Sequence, residues 1–128
     1  MSLLLDTHAL LWFLLDDPRL SSTAREAIAG HPEAVRVSPA SHWEIAIKIS
    51  LGKYELPMAF AEFWERQLAV NDFTILPITI AHTAKVAGLP FHHRDPFDRL
   101  LIAQALQEDL PIVGNDGAFD AYGVKRIW

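Results

Sequence analysis

The chain contains no cysteine. That excludes disulfide frameworks, thiolate zinc sites and cysteine nucleophiles. It also suits a reducing compartment, and a cytoplasmic location is the expectation. Positive charge is scarce as well: 11 Lys and Arg stand against 16 Asp and Glu, a formal net charge of −5. A domain that grips nucleic acid by broad electrostatics is usually basic. Any contact with a polyanion must therefore be local, or bridged by bound cations. Long apolar runs are missing too. The opening "MSLLLDTHALLWFLLDD" lacks a basic leading segment, and Asp6 and His8 interrupt it well short of the roughly 18 apolar residues a membrane span needs. No Pro/Gly/Ser-rich linker, low-complexity tract or internal repeat divides the 128 residues, and 51% of them are hydrophobic. The expectation is a single domain over residues 1–128 with a packed core and no membrane segment.

What is present alternates between two periodicities. "SLLLD" is a continuous apolar run ending in an acid, the pattern of a strand buried on both faces of a parallel sheet. "THALLWFLL" follows as a helix. "DDPRLSSTAREAIAG" reads as a turn and a second helix, capped by Ser21 or Ser22 and closed at Gly30. "AVRVS" is a short strand, and "SPASHWEIAIKISLGK" a helix with Ser38 as cap, Pro39 in the first turn and Gly52 at its end. "MAFAEFWERQLAV" is an amphipathic helix with Phe60, Phe63, Trp64 and Leu68 near one face. Then come the strand "FTILPI", the helix "TIAHTAKVAG" ending at Gly88, the helix "DPFDRLLIAQALQED", the strand and turn "PIVGND", and a last strand "VKRIW". Strands alternating with helices predict an α/β fold with a mainly parallel central sheet flanked by helices. Ligands of such sheets bind at the carboxyl ends of the strands.

Four acids are expected at that edge. Asp6 ends the first strand, Glu44 lies early in the helix after the second, Asp98 sits in the first turn of its helix, and Asp116 follows "PIV". Each has a purely structural account. Asp6 can be a strand-end turn residue or a helix cap. Glu44 can complete a capping box with Ser41 and pair with Lys48 four residues on. Asp116 in "GNDG" is ordinary turn chemistry. In "RDPFDR", Asp95 can cap the helix, Pro96 fits its first position, and Asp98 faces the positive end of the dipole. Four independent caps remain possible, because helix starts attract acids. Asp6 is the hardest to dismiss, since it sits against a strand as apolar as "LLL". Like charges gathered within a few ångströms raise one another's pKa or destabilise the fold. A divalent cation relieves that, and oxygen ligands without sulfur favour Mg²⁺ or Mn²⁺ over zinc.

"LLLDTHALLW", "SHWEIAIK", "RDPFDRLLIAQA" and "VGNDGAFDAYGVKRIW" together resemble the PIN-domain ribonucleases, above all the VapC-type toxins of toxin–antitoxin pairs. The likeness runs from the first strand to the last residue, with the acids in family order. It implies a PIN-like α/β/α sandwich and Mg²⁺- or Mn²⁺-dependent endonuclease activity on an RNA substrate. It also implies a homodimer inhibited by a small cognate antitoxin. The family's acids fall on Asp6, Glu44, Asp98 and Asp116, the catalytic and metal-binding candidates; Asp95 belongs to the "DPFDR" variant of the motif, as cap or supporting residue. One position departs. Family members often carry Ser or Thr two residues before the last aspartate, where this chain has Gly114. Either a hydroxyl contact is lost there, or Thr7 or Asn115 supplies it.

Rival readings remain at this stage. A phosphatase with an aspartyl nucleophile, another Mg²⁺-dependent phosphohydrolase, would want a second acid two residues after Asp6, where His8 stands. A receiver module would want paired acids after the first strand and a lysine after "PIV", and has neither. A non-catalytic domain whose acidic edge docks a basic peptide stays open. No histidine pair has zinc-ligand spacing. His92 and His93 either contact RNA or, the commoner case, sit in a solvated loop, and His8 and His42 are either donors to Asp6 and Glu44 or, more commonly, satisfied helix-edge residues. Lys48, Arg94 and Arg99 are candidates for RNA phosphate contacts or for simple charge balance. Trp12, Trp43 and Trp64 read as core or dimer face rather than base-stacking platforms.

Overall fold

The computed structural model describes residues 2–128. The strands are β1 (Leu3–Leu5), β2 (Val35–Val37), β3 (Thr74–Ile75), β4 (Ile112–Val113) and β5 (Arg126–Ile127). The helices are α1 (Thr7–Leu14), α2 (Ser22–Gly30), α3 (Pro39–Ser50), α4 (Phe60–Asn71), α5 (Ile80–Ala87) and α6 (Pro96–Glu108). Short 3-10 turns at Pro32–Ala34 and Gly117–Tyr122 complete the described elements. The strands form one sheet in the order β3-β2-β1-β4-β5, and every pairing is parallel.

The run "LLL" occupies the centre of this sheet because it can be buried on both faces. Side chains alternate across a strand, and the two packing clusters follow that alternation. Leu3 and Leu5 join Val35, Val37 and Val113 under α1, α2 and α4, with Leu10, Ile28, Phe63 and Trp64 packed over them. Leu4 and Ile112 face the other way, onto Leu101, Ile102 and Ala105 of α6, with Phe119 and Leu89 beside them. The result is the expected sandwich. No described helix is long and apolar enough to cross a membrane.

Local chemistry sets the helix starts. The Ser21 side chain accepts from Ala24 N, Ser38 from Ala40 N, and Asp95 from both Phe97 N and Asp98 N, with Pro39 and Pro96 in the first turns they open. The capping box expected from Ser41 and Glu44 does not form. Ser38 is the cap of α3, which leaves Ser41 inside the first turn, its hydroxyl 2.9 Å from Thr7 Oγ1. The i,i+4 pair of Glu44 and Lys48 does form, at 2.9 Å.

Candidate functional site

The register of β1 and β4 sets up the site. Leu5 pairs with Val113, and Asp6 N–H donates to the Val113 carbonyl at 3.0 Å. The residues that follow the two strands therefore lie side by side. Helices running back over a parallel sheet begin at the edge where its strands end. That brings Glu44 of α3 and Asp98 of α6 to the same place. Asp6, Glu44, Asp98 and Asp116 line one cleft of about 310 Å³, together with Thr7, His8, Lys48, Asp95 and Asn115.

Each acid is held differently. Asp6 is only 5% exposed, and its Oδ1 accepts from Ala9 N at 2.8 Å, so it caps α1 and lines the cleft at once. Glu44 is buried; its Oε1 accepts from the Thr7 hydroxyl at 2.8 Å and its Oε2 from Lys48 Nζ at 2.9 Å. Asp116 caps the 3-10 turn that follows it through Ala118 N. Gly114 packs against the first of these acids. A Cβ there would lie 2.6 Å from Asp6 Oδ2 and 3.0 Å from its Cγ. The Asp6 carboxylate thus occupies the space a side chain at position 114 would need. Thr7, which also lines the cleft, directs its hydroxyl at Glu44 and Ser41.

Burial and mutual repulsion govern the charges. Asp6 is pushed up to about 7, first by burial and then by the charges of Asp98, Glu44 and Asp116, against the stabilising Ala9 N–H. Asp98 is also pushed up to about 7, by burial and by Asp95, with His93 opposing and Glu44 and Asp116 adding. Partial burial raises Asp116 as well, but the Ala118 N–H, His93 and Arg126 outweigh it and hold that carboxyl below its ordinary range. Burial and like charge therefore disfavour the ionised forms of Asp6 and Asp98. An all-oxygen, anionic donor set of this kind fits a hard divalent cation.

The PIN domain family profile matches residues 3–125. The chain belongs to the PIN domain family. Within that family it is 31% identical over 116 residues to Ribonuclease VapC22 of Mycobacterium tuberculosis, a match covering 90% of this chain and 87% of that protein. Solved structures share the fold. VapBC2 of Rickettsia felis, bound to a DNA fragment from its promoter, superposes with a TM-score of 0.71 at 14% identity, covering 98% of this chain and 97% of that one. FitAcB of Neisseria gonorrhoeae gives 0.69 at 21% identity, covering 97% and 95%. The α/β sandwich and the nuclease class expected from the motifs both stand.

The remaining candidates of this PIN domain separate cleanly. Lys48 and Asp95 line the cleft, Asn115 is exposed where it lines it, and Arg94 is exposed outside that lining. Arg99 is a correction. It is 5% exposed, and its guanidinium donates to the carbonyls of Val86, Leu89 and Pro90 at 3.3, 3.2 and 2.9 Å. It stitches the segment after α5 to α6 and has no face to offer a phosphate. His93 is a second correction. It does not sit in a solvated loop: its Nε2 lies 3.1 Å from Asp98 Oδ2 and 2.7 Å from Asp116 Oδ2. Its only sequence signal was proximity to the "DPFD" acids, because loop residues carry no periodicity to show where they point. Of the tryptophans, Trp64 is buried, Trp12 is half-buried and Trp43 is 61% exposed.

Proposed function

We propose that this PIN domain is a Mg²⁺- or Mn²⁺-dependent endoribonuclease, the toxin of a toxin–antitoxin pair, working in the cytoplasm as one domain of 128 residues. The observation that carries the reading is the gathering of Asp6, Glu44, Asp98 and Asp116 in one cleft, with two of the four carboxyls pushed up to about 7. These four residues would hold the cation. Once bound, such an ion lowers the pKa of a water and offsets the charge of a phosphodiester that bare carboxylates would repel. The chain's own groups do the rest. Thr7 and Lys48 fix the two oxygens of Glu44, which holds that carboxylate to one orientation. Lys48 also keeps a positive charge in the cleft lining, and with the exposed Arg94 it is the cation we assign to the RNA backbone. Asp95 keeps Asp98 in the first turn of α6 by capping that helix.

A toxin–antitoxin complex from Klebsiella pneumoniae is also similar in structure, which supports a small cognate antitoxin as partner. A basic antitoxin segment would suit the acidic cleft of a chain with net charge −5. A homodimer is part of the same reading. Trp43, Ile78 and Ile80 leave apolar surface exposed that a second copy could cover. The experiment is incubation of the purified protein with a defined RNA pool in Mg²⁺, Mn²⁺ or EDTA, with the cut sites mapped. Cleavage in either metal and none in EDTA is expected. Undiminished cleavage in excess EDTA, with trace metal excluded, would sink the metal-dependent reading, and no cleavage in any condition would return the chain to the binding-domain alternative.

A further inference from the structure

His93 touches two of the four acids, and its ring is held from every side. Its backbone N–H donates to Tyr122 Oη at 2.9 Å. Its ring packs 5.9 Å from that of Phe119. Nδ1 lies 3.2 Å from the backbone nitrogen of Asp95 and accepts its proton. Nε2 stands between Asp98 Oδ2 and Asp116 Oδ2. By position alone His93, Asp98 and Asp116 make a plausible three-atom metal site, since their nearest ligand atoms lie within 4.8 Å of one another.

The hydrogen bonds point elsewhere. A backbone N–H can only donate, so the Nδ1 that faces Asp95 N carries no proton. In the neutral ring the proton then sits on Nε2. A protonated Nε2 has no lone pair for a cation, but it is the donor that the Asp116 carboxylate requires. We infer that His93 is a positioning residue: its Nε2–H donates to Asp116 Oδ2 and holds that carboxylate beside Asp98, whose Oδ2 lies 3.1 Å from the same nitrogen, while the cation is left to the carboxylate oxygens alone. The role rests on the cation-binding reading of the cleft.

The consequence is geometric. Asp98 opens α6 and Asp116 follows β4, so nothing in the local backbone ties one to the other. Asp116 Oδ1 is already taken by Ala118 N, and Oδ2 is taken by His93. Asp98 Oδ2 lies 3.1 Å from the same ring nitrogen, and its Oδ1 has no protein donor among the described residues. The arrangement is the one expected of outer hydrogen bonds around metal-binding carboxylates, whose loss costs roughly 10–100-fold in metal affinity or activity. It also lets two like charges stay close before any cation arrives.

Two measurements test this. The first is nitrogen NMR of the parent protein with ¹⁵N-labelled histidine, without metal and with Mg²⁺. His93 should show a protonated Nε2 and an unprotonated Nδ1 in both states. A proton on Nδ1, with Nε2 bare once Mg²⁺ is added, would make His93 a ligand and overturn the inference. The second is Mn²⁺ titration calorimetry, without RNA, on the parent, His93→Gln and His93→Leu. Gln keeps an N–H donor at similar reach, whereas Leu keeps bulk and loses the donor. Affinity within about threefold of the parent is expected for Gln, and a loss of roughly 10–100-fold for Leu. Equal binding by the parent and the Leu variant would overturn the role of His93 alone, as would a Gln variant as weak as the Leu one. A parent that binds no Mn²⁺ would overturn the cation reading, and this role with it.

Discussion

Replacing Asp6 by Asn should make the metal-free protein more stable and at the same time disable it. In the unfolded chain this carboxyl ionises near 3.8; in the fold it holds its proton up to about 7. Between those values the folded state binds more protons than the unfolded one, so parent stability falls as pH rises through the window and stays low above it. The gap of about three pH units corresponds to roughly 4 kcal/mol at 1.36 kcal/mol per unit. That is an upper bound, because part of the repulsion is shared with Asp98. Asn keeps the cap on Ala9 N, carries no charge, and offers its amide protons to the neighbouring carboxylates. A gain of about 2–4 kcal/mol at pH 8 in EDTA is expected. With an unfolding entropy of about 2.1 cal/mol/K per residue, that is a rise in melting temperature of roughly 7–15 °C. The gain should shrink toward zero near pH 4, where both forms are neutral. The assay is thermal unfolding of parent and Asp6→Asn in EDTA from pH 4 to 8, paired with Mg²⁺-dependent RNA cleavage. A variant no more stable than the parent at pH 8, or a gain of the same size at every pH, would refute the reasoning.

Three further outcomes follow from the same geometry. Asp98→Asn should lose RNA cleavage by orders of magnitude while its metal-free melting temperature holds or rises, whereas Asp95→Ser keeps a good cap and should retain the fold and most activity; an active Asp98→Asn protein would return that residue to a helix-start role. Gly114→Ala puts a Cβ 2.6 Å from Asp6 Oδ2 and should cost about 1–3 kcal/mol as an overpacked site, read by urea unfolding, with weaker Mn²⁺ binding as the Asp6 carboxylate is displaced. Arg99→Leu leaves the buried Leu89 carbonyl without its donor and should cost about 1–3 kcal/mol, yet cleavage per folded molecule should be unchanged; a selective loss of RNA affinity with stability intact would restore Arg99 as a phosphate contact.

The order of the acids was legible because it depends only on topology. Once "LLL" is read as a buried parallel strand, Asp6 must stand at its end, and any helix returning over the sheet must start beside it. What stayed hidden depends on side-chain direction. Arg99 sits one residue from Asp98, yet one step along a helix turns a side chain by about 100°, enough to carry it from the cleft into the packing beneath the 86–93 segment. The close approach of Gly114 to Asp6 arises between strands far apart in sequence. His93 lies in a loop, and only the closed fold brings Asp116 to it. The ends of α4 and α6 were read to within a residue, although no glycine marks either. The chain leaves α4 at Asp72 and α6 at Asp109, both in the left-handed region at φ 59° and 53°. Aspartate tolerates that conformation better than most residues but does not announce it as glycine does.

A crystal of the protein soaked in Mn²⁺ and measured for anomalous scattering would show whether this cleft is a metal centre. The expected result is an anomalous peak within bonding distance of carboxylate oxygens from Asp6 and Asp98, in the cleft shared with Glu44 and Asp116. An anomalous peak only elsewhere on the surface, or none at a Mn²⁺ concentration that supports RNA cleavage, would contradict the reading.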